Sequence, residues 1–270
     1  MRRAGSTHAV RVEGDELVVL DAPDVGTLLA TAVDPASAGE RVSVEGVNWA
    51  PVVTEPNKII CVGLNYRDHV VEMGNDLPTA PTLFAKFSGS LIGATDDLHL
   101  PAPDVSTHND WEAELAVVIG SPARNVPSET ALDHVAGFTA FNDFSVRNHQ
   151  RRTSQFLAGK TFERASGLGP VMVTPDELGD GTGLAISSSV NGVTKQASST
   201  SELIFSPADL IADISRIITL SPGDIIATGT PGGVGAARTP PEWLAAGDEL
   251  VISIEGIGEL RHHCVTGEAP

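Results

Sequence analysis

The sequence predicts a mainly β protein with short helices, of the α+β class, and three observations lead to this expectation. Short apolar runs rich in β-branched residues recur along the chain, and glycine or proline bounds most of them. The run over residues 184–191 ends in Asn191-Gly192, which is a strong hairpin signal. A helical apolar stripe is clearest over residues 210–218, after a capping serine at position 206. The 270 residues, 41% hydrophobic and 19% charged, are enough for one large domain or for a large domain with a small one.

The first 55 residues read as a unit of their own. Residues 10–12, 17–20 and 42–44 are predicted strands of a small meander, and residues 25–33 form a possible short helix. No polar cluster in this region suggests chemistry. We therefore predict a small accessory β domain over residues 1–55 and a larger domain over residues 56–270.

Charge and cysteine content limit the classes of partner and compartment. The net charge of −18 argues against nucleic acids and anionic membranes, and an anionic ligand would need a local cationic site. Cys61 and Cys264 imply no disulfide framework, so a reducing cytosol is expected. No apolar segment follows the basic residues at the start, and none is long enough to span a membrane. The expected location is cytoplasmic, without membrane association.

The stretch from Asn109 to Gly120 is the strongest candidate for a functional centre. Residues 115–119 form an apolar run that predicts a buried strand. Extended backwards, this strand places Glu112 and Glu114 on one face, about 7 Å apart along the chain. A divalent cation such as Mg²⁺ or Mn²⁺ would relieve their repulsion, and Asp143, after an aromatic-rich strand, is a candidate third ligand. The alternatives are a glutamate face in water and an Asn142-Asp143 turn.

Further polar residues occur in apolar or helical surroundings. His69 and Glu72 would share a face of a predicted short helix within residues 64–74, so Glu72 could orient His69 as a general base. A solvent-facing pair on an ordinary amphipathic helix is the alternative. Lys86 is either a gatekeeper of an edge strand or a contact for a substrate anion. Lys160 suits anion binding or proton transfer, unless it is a surface lysine.

Two more segments complete the candidate site. Arg147 and Gln150 would lie near Asp143 if a helical turn begins there. The glycine-rich loop over residues 229–235 would bring backbone N–H groups and the Thr230 hydroxyl close to a ligand carboxylate. The loop lacks the lysine of a phosphate-binding loop, and no glycine fingerprint of a dinucleotide fold follows an early strand.

Several of these motifs together resemble the fumarylacetoacetate hydrolase family over residues 56–265. They stand in the family's order: Gly63-Leu64-Asn65-Tyr66-Arg67-Asp68-His69, Glu112-Ala113-Glu114-Leu115-Ala116-Val117-Val118-Ile119-Gly120, Asn142-Asp143, Gly159-Lys160 and Ala227-Thr228-Gly229-Thr230-Pro231. The resemblance implies a mixed β-sandwich roll, a homodimer and one Mg²⁺ or Mn²⁺ per subunit. It also implies roles: Glu112, Glu114 and Asp143 as metal ligands, His69 and Glu72 as a lid dyad that activates water, Lys160 as the group that stabilises an enolate, and Lys86, Arg147, Gln150 and Thr230 as substrate contacts.

The activity expected from this resemblance is hydrolysis of a carbon–carbon bond in a 2,4-dioxo acid, such as an acylpyruvate or fumarylpyruvate. The substrate is therefore a small anionic keto acid, as in the catabolism of aromatic compounds. A decarboxylase or isomerase of related keto acids, such as oxaloacetate, would use the same site without an attacking water. A non-catalytic relative that only binds ligands is the remaining alternative.

Overall fold

The computed structural model describes residues 1–31, 33–72, 74 and 76–267. The strands are β1 Arg2–Arg3, β2 Ser6–Thr7, β3 Val10–Glu13, β4 Glu16–Val19, β5 Arg41–Ser43, β6 Ile59–Gly63, β7 Thr82–Lys86, β8 Leu91–Ile92, β9 Leu98–Leu100, β10 Asn109–Asp110, β11 Ala113–Ile119, β12 Val135–Asn142, β13 Ser145–Val146, β14 Ser166–Val173, β15 Ala185–Val190, β16 Val193–Ser199, β17 Ile225–Ala227, β18 Glu249–Ile254 and β19 Gly258–Thr266. The α-helices are α1 Val25–Ala30, α2 Arg67–Glu72, α3 Ser128–Ala131, α4 Arg147–Gln150, α5 Leu157–Lys160, α6 Pro175–Leu178 and α7 Pro207–Ile217. Short 3₁₀ helices cover Ser88–Ser90, Leu132–His134, Thr200–Glu202 and Gly235–Ala237.

A seven-stranded mixed sheet in the order β7-β6-β17-β11-β12-β14-β8 forms the centre of the molecule. Strand β11 is buried along its whole length, since its side chains alternate between two apolar clusters. Leu115 and Val117 face the cluster shared with the second sheet, whereas Ala116 and Val118 face the cluster on the other side. Burial on both faces explains why residues 115–119 form an unbroken apolar run rather than an alternating one.

A five-stranded sheet in the order β16-β15-β18-β19-β9 packs on one side of the first sheet. Strands β15 and β16 form the predicted hairpin, and Asn191 and Gly192 both have positive φ angles, as a type I′ turn requires. Strands β18 and β19 form a second hairpin. The mainly β fold with few short helices, curled into a mixed β-sandwich roll, is thus confirmed.

Helix α7 covers the same apolar cluster and begins as predicted. Ser206 and Asp209 form a reciprocal capping box at its start. Residues Leu210, Ile211 and Ile214 are buried. Ile217, expected on the same stripe, is 67% exposed, and Ile218 is 45% exposed because the chain is extended there and leaves the helix. The buried stripe is therefore one turn shorter than the sequence predicts.

The N-terminal region contains the predicted meander. Strands β3, β4 and β5 form a three-stranded antiparallel sheet, and α1 occupies the first part of the possible helix over residues 25–33, in which Ala32 lies outside the described residues. The division at residues 55 and 56 stays a prediction. Within the described ranges, no helix combines the length and apolar character needed to cross a membrane.

Candidate active site

Two paired strands carry the three carboxylates that the sequence singles out. Glu112 directly precedes β11 and Glu114 is its second residue, while Asp143 directly follows β12. Because β11 and β12 are antiparallel, with Ala113 opposite Asn142, the start of one strand lies beside the end of the other. Oxygen atoms, one from each of the three carboxyl groups, lie within 4.8 Å of one another, and all three residues are buried. The sequence expectation that these groups converge is thus matched by their positions.

Buried cations surround two of these carboxylates. The Lys160 ammonium donates to Glu112 at 2.6 Å and to Asp143 at 2.7 Å. Lys86 donates to the other oxygen of Asp143 at 2.7 Å, and an Arg147 terminal nitrogen lies 2.7 Å from Glu112. Burial alone would raise the pKa of Glu112, but the charges of Lys160 and Arg147 outweigh it and hold the pKa below its ordinary value.

Glu114 differs from its neighbours, since no cation pairs with it among the described residues. Its carboxylate accepts one hydrogen bond, from the Gly229 N–H at 2.9 Å. Burial, and then the charges of Asp143 and Glu112, raise the pKa of Glu114 well above its ordinary value. An anionic Glu114 is therefore costly in this arrangement of protein groups alone.

The charge balance of this cluster fits a hard divalent cation. Counting Asp110, which pairs with Arg147, four buried carboxyl groups face three buried cations, so with all four ionised the cluster would carry one net negative charge. A divalent cation held by Glu112, Glu114 and Asp143 would reverse that sign. Carboxylate oxygens without sulfur or imidazole ligands favour ions such as Mg²⁺ or Mn²⁺.

Helix α2 places a histidine–carboxylate pair next to the carboxylate cluster. Strands β6 and β17 are parallel, so the segments that follow them, α2 and the glycine-rich loop, leave the sheet at the same edge. The His69 Nδ1 atom lies 3.2 Å from a Glu72 oxygen, and Glu72 also accepts the Gly233 N–H at 3.0 Å. Burial would raise the pKa of Glu72, but these hydrogen bonds lower it, so the group is an anionic acceptor. Met73, in the stretch predicted as helical, lies outside the described residues.

A cavity of about 190 Å³ opens beside these groups. Its polar lining consists of His69, Glu112, Glu114, Arg147, Gln150, Arg151, Lys160 and Thr230. Its apolar wall includes Val62, Phe84, Phe156 and Val234. The cavity therefore combines an acidic cluster, a histidine and cationic groups with an apolar side.

The four expected substrate contacts occupy different positions. Arg147, Gln150 and Thr230 line the cavity, and Arg147 donates to Gln150 at 2.9 Å. Lys86 is absent from the lining: its side chain is fully buried behind Asp143, and it also donates to the Phe144 carbonyl at 3.0 Å. The geometry favours a role for Lys86 in holding Asp143, and its direct contact with substrate stays a prediction.

Two glycines permit the close approaches on which the site depends. A Cβ atom at Gly159 would lie 2.3 Å from the Gln150 nitrogen, so only glycine lets α5 pack against α4. Gly229 has φ +102°, and a Cβ there would lie 2.9 Å from the Asn65 Cβ atom. The close packing at Gly159 positions Lys160, and the close approach at Gly229 positions the N–H group that donates to Glu114.

Two buried polar residues escaped the sequence reasoning. Asp110 accepts from Arg147 at 2.7 Å and from the backbone N–H groups of Gly235 and Ala236, so it joins α4 to the glycine-rich loop. Its position two residues before Glu112, inside the stretch from Asn109 to Gly120 that the sequence singles out, was a usable signal. Gln196 lies in β16, where Thr194 and Lys195 directly before it are also polar, and nothing in the sequence distinguishes it.

Comparisons with known proteins agree with this geometry. The chain is 46% identical over 220 residues to the mitochondrial oxaloacetate tautomerase Fahd2a of Rattus norvegicus, and the match covers 81% of this chain and 70% of the relative. The structure of a fumarylacetoacetate hydrolase from Exiguobacterium antarcticum superposes with a TM-score of 0.88 at 32% identity, covering 98% of this chain and 97% of the other. The location named for the rat relative is mitochondrial, so the cytoplasmic expectation for this chain stays a prediction.

A third relative bears on the metal. The fumarylpyruvate hydrolase of Pseudomonas aeruginosa, solved in complex with Mn²⁺ and pyruvate, superposes with a TM-score of 0.70 at 29% identity, covering 83% of this chain and 99% of the other. The family model described as fumarylacetoacetate hydrolase C-terminal matches residues 58–265. Since that match spans the roll, the carboxylate cluster and the histidine pair, the chain belongs to the fumarylacetoacetate hydrolase family of enzymes.

Proposed function

We propose that this enzyme interconverts the keto and enol forms of a 2-oxo dicarboxylic acid of the oxaloacetate type, in the presence of a divalent cation. The observation that carries the proposal is the position of His69, held by Glu72, on the wall of the cavity that Glu112 and Glu114 also line. The likeness to the rat oxaloacetate tautomerase supports the same reaction. Tautomerisation is an exchange of protons, so a base, a stabiliser of negative charge and an orienting site suffice.

His69 is the candidate base for the proton on C3. When Glu72 accepts the Nδ1 proton, the Nε2 atom of His69 keeps its lone pair and can take that proton. The electrons of the C3–H bond then form the C2–C3 double bond, the oxygen on C2 takes up a proton from water to give the enol, and protonated His69 returns its proton to water. Lys160 does not suit the role of base, because its ammonium already donates to both Glu112 and Asp143.

The three carboxylates would hold the cation, and the protein would stabilise the rest of the charge. A bound divalent ion would withdraw electrons from the 2-oxo group and so acidify the neighbouring C–H bond. Lys160 lies at the same cluster and can stabilise negative charge that develops on the oxygen. Thr230 lines the cavity and would orient the substrate's carboxylate, whereas Arg147, which also lines the cavity, pairs with Asp110 and Glu112.

Arg151 suits the second carboxylate of a dicarboxylic acid. Arg147 and Lys160 are occupied by buried carboxylates, whereas Arg151 is exposed at the cavity and forms no ion pair with the described residues. A guanidinium can bind a carboxylate through two parallel hydrogen bonds. We therefore expect the replacement of Arg151 by leucine to raise KM for oxaloacetate about 10-fold or more, equivalent to one charge-assisted hydrogen bond, without the same effect on a 2-oxo monocarboxylate.

The decisive experiment follows the enol of oxaloacetate by its ultraviolet absorbance after mixing with enzyme and Mg²⁺, with chelator as the control. Faster approach to the tautomeric equilibrium, lost with chelator and in His69→Ala, supports the proposal. An unchanged rate with the Mg²⁺-loaded protein refutes it.

Hydrolysis of a 2,4-dioxo acid is the second candidate, favoured by the same His69–Glu72 pair, which could take a proton from water instead of from carbon. Product analysis separates the reactions: acylpyruvates would yield pyruvate and a carboxylic acid, and decarboxylation would release carbon dioxide. A protein that binds Mg²⁺ and oxalate but turns over none of these acids would be the non-catalytic relative. The proposed homodimer is tested by the mass of the protein in solution.

A further inference from the structure

Gln196 is fully buried between the two sheets, and it contacts both the carboxylate cluster and the glycine-rich loop. Its side-chain oxygen accepts from the Ala113 N–H at 3.0 Å, between Glu112 and Glu114 in sequence. Its side-chain nitrogen donates to the Pro231 carbonyl at 2.9 Å and to the Thr230 hydroxyl oxygen at 2.8 Å. Ser188 also donates to the side-chain oxygen at 2.8 Å. The amide therefore uses all four of its hydrogen-bonding positions, two at the oxygen and two at the nitrogen.

The orientation of this amide has only one solution. A backbone N–H cannot accept a hydrogen bond and a backbone carbonyl cannot donate one, so the contacts with Ala113 and Pro231 assign the oxygen and the nitrogen of Gln196. The nitrogen is then a donor to Thr230 as well. The Thr230 hydroxyl must accept this bond, and its own proton has to go elsewhere.

The direction that remains for the Thr230 hydroxyl proton leads to the cavity. Thr230 is 4% exposed and lines the cavity, and no described residue accepts a hydrogen bond from its hydroxyl. A buried hydroxyl proton without an acceptor is costly, so a ligand oxygen is its natural partner. We propose that Gln196 is a positioning residue that makes Thr230 a fixed hydrogen-bond donor to the carboxylate of the substrate. This inference rests on the proposed function only for the identity of that carboxylate.

The test compares binding of oxalate to the Mg²⁺-loaded protein by calorimetry, so it requires no turnover. In Gln196→Glu, the new carboxylate has no proton to donate to Thr230 and instead accepts from it, which withdraws the hydroxyl proton from the cavity. We expect oxalate affinity to fall about 10-fold or more, since a hydrogen bond to a charged group is lost. Thr230→Val should cause a similar loss, and Thr230→Ser should bind as the wild type does.

The double variant decides whether the two residues act together. If Gln196 acts through Thr230, adding Gln196→Glu to Thr230→Val weakens oxalate binding no further. The affinity for Mg²⁺ should stay unchanged in Thr230→Val, and it should not fall in Gln196→Glu, because the added carboxylate is a negative charge near the cation. A structural role through Ala113 would instead weaken the binding of both Mg²⁺ and oxalate, and that result would overturn the proposal. Wild-type oxalate affinity in Gln196→Glu would also overturn it, as would additive losses in the double variant.

A second variant and a separate assay of tautomerisation keep the outcome interpretable. If Gln196→Glu does not fold, Gln196→Met takes its place, since it has similar length and removes the donor without adding charge. Failure of the proposed function is recognised separately: the binding cycle can hold while oxaloacetate is not tautomerised, and tautomerisation can occur while the cycle is additive.

Discussion

The order of stability of the wild type and the Glu114→Gln variant should reverse when Mg²⁺ is added, with the variant at least as stable in the apo form and the wild type more stable in the Mg²⁺-loaded form. Without metal, Glu114 pairs with no cation among the residues that the structure describes, and it is close to Asp143 and Glu112. Glutamine has the same shape, its oxygen can still accept from Gly229, and its amide can donate to a neighbouring carboxylate. We therefore expect apo Glu114→Gln to be at least as stable as the apo wild type.

With Mg²⁺ present, the wild type should become the more stable of the two. A ligand at 100 times its Kd stabilises the folded state by about 2.7 kcal/mol. For a chain of this size, that raises Tm by roughly 5–11 °C. The variant loses one of three anionic ligands, so its gain at the same Mg²⁺ concentration should be much smaller.

Urea unfolding and thermal melting, each with chelator and with Mg²⁺, measure both effects. Glu259→Gln is the matched control, because it removes an exposed carboxylate that is outside the cluster and pairs with Arg261. A Glu114→Gln protein that responds to Mg²⁺ as the wild type and the control do would refute the assignment of Glu114 as a ligand. A strongly destabilised apo variant would refute the charge argument.

Three other predictions address the base, the buried lysine and pH. His69→Ala should lower the rate of tautomerisation about 100-fold or more, the usual contribution of a general base, while calorimetry shows unchanged Mg²⁺ affinity; a rate near that of the wild type contradicts the role. Lys86→Met should destabilise the apo protein by about 3–5 kcal/mol in urea, because it leaves a buried carboxylate short of a partner, whereas Arg41→Met at an exposed pair should cost no more than about 1 kcal/mol; equal effects would contradict it. Burial lowers the pKa of His262, so below about pH 6.5 the unfolded chain binds a proton that the folded one does not, and stability should fall by up to about 1.4 kcal/mol per pH unit. His262→Asn should flatten this slope, and the exposed neighbour His263→Asn should leave it; identical slopes in both variants would rule out His262 as its source.

The sequence alone was sufficient for much of the architecture, because the information is local. The unbroken run in β11 predicted a buried strand, and Asn191-Gly192 predicted the hairpin between β15 and β16. Helix α7 began where the capping serine, Ser206, indicated. These signals depend on side-chain alternation, turn geometry and capping, each of which involves residues only a few positions apart.

The candidate carboxylates were also visible in the sequence, but their reaction was not. Family motifs identified Glu112, Glu114 and Asp143, and the spacing of His69 and Glu72 predicted their contact. The same groups serve hydrolysis, decarboxylation or tautomerisation, because each proceeds through removal or addition of a proton next to a 2-oxo group. The choice between them depends on what the cavity admits, and the similarity to oxaloacetate tautomerases shifted it away from the hydrolysis first expected.

What the sequence by itself determined were the strands, the caps and the identity of the acidic and basic groups. Only the tertiary structure decided which of those groups are free to act: Lys86 lies behind Asp143, Arg147 is held by Asp110, and Gln196 donates a hydrogen bond to Thr230. The physical reason is that each of these contacts joins segments far apart in the chain. Whether a charge is paired or a hydroxyl proton is free depends on packing between sheets, which no local pattern encodes.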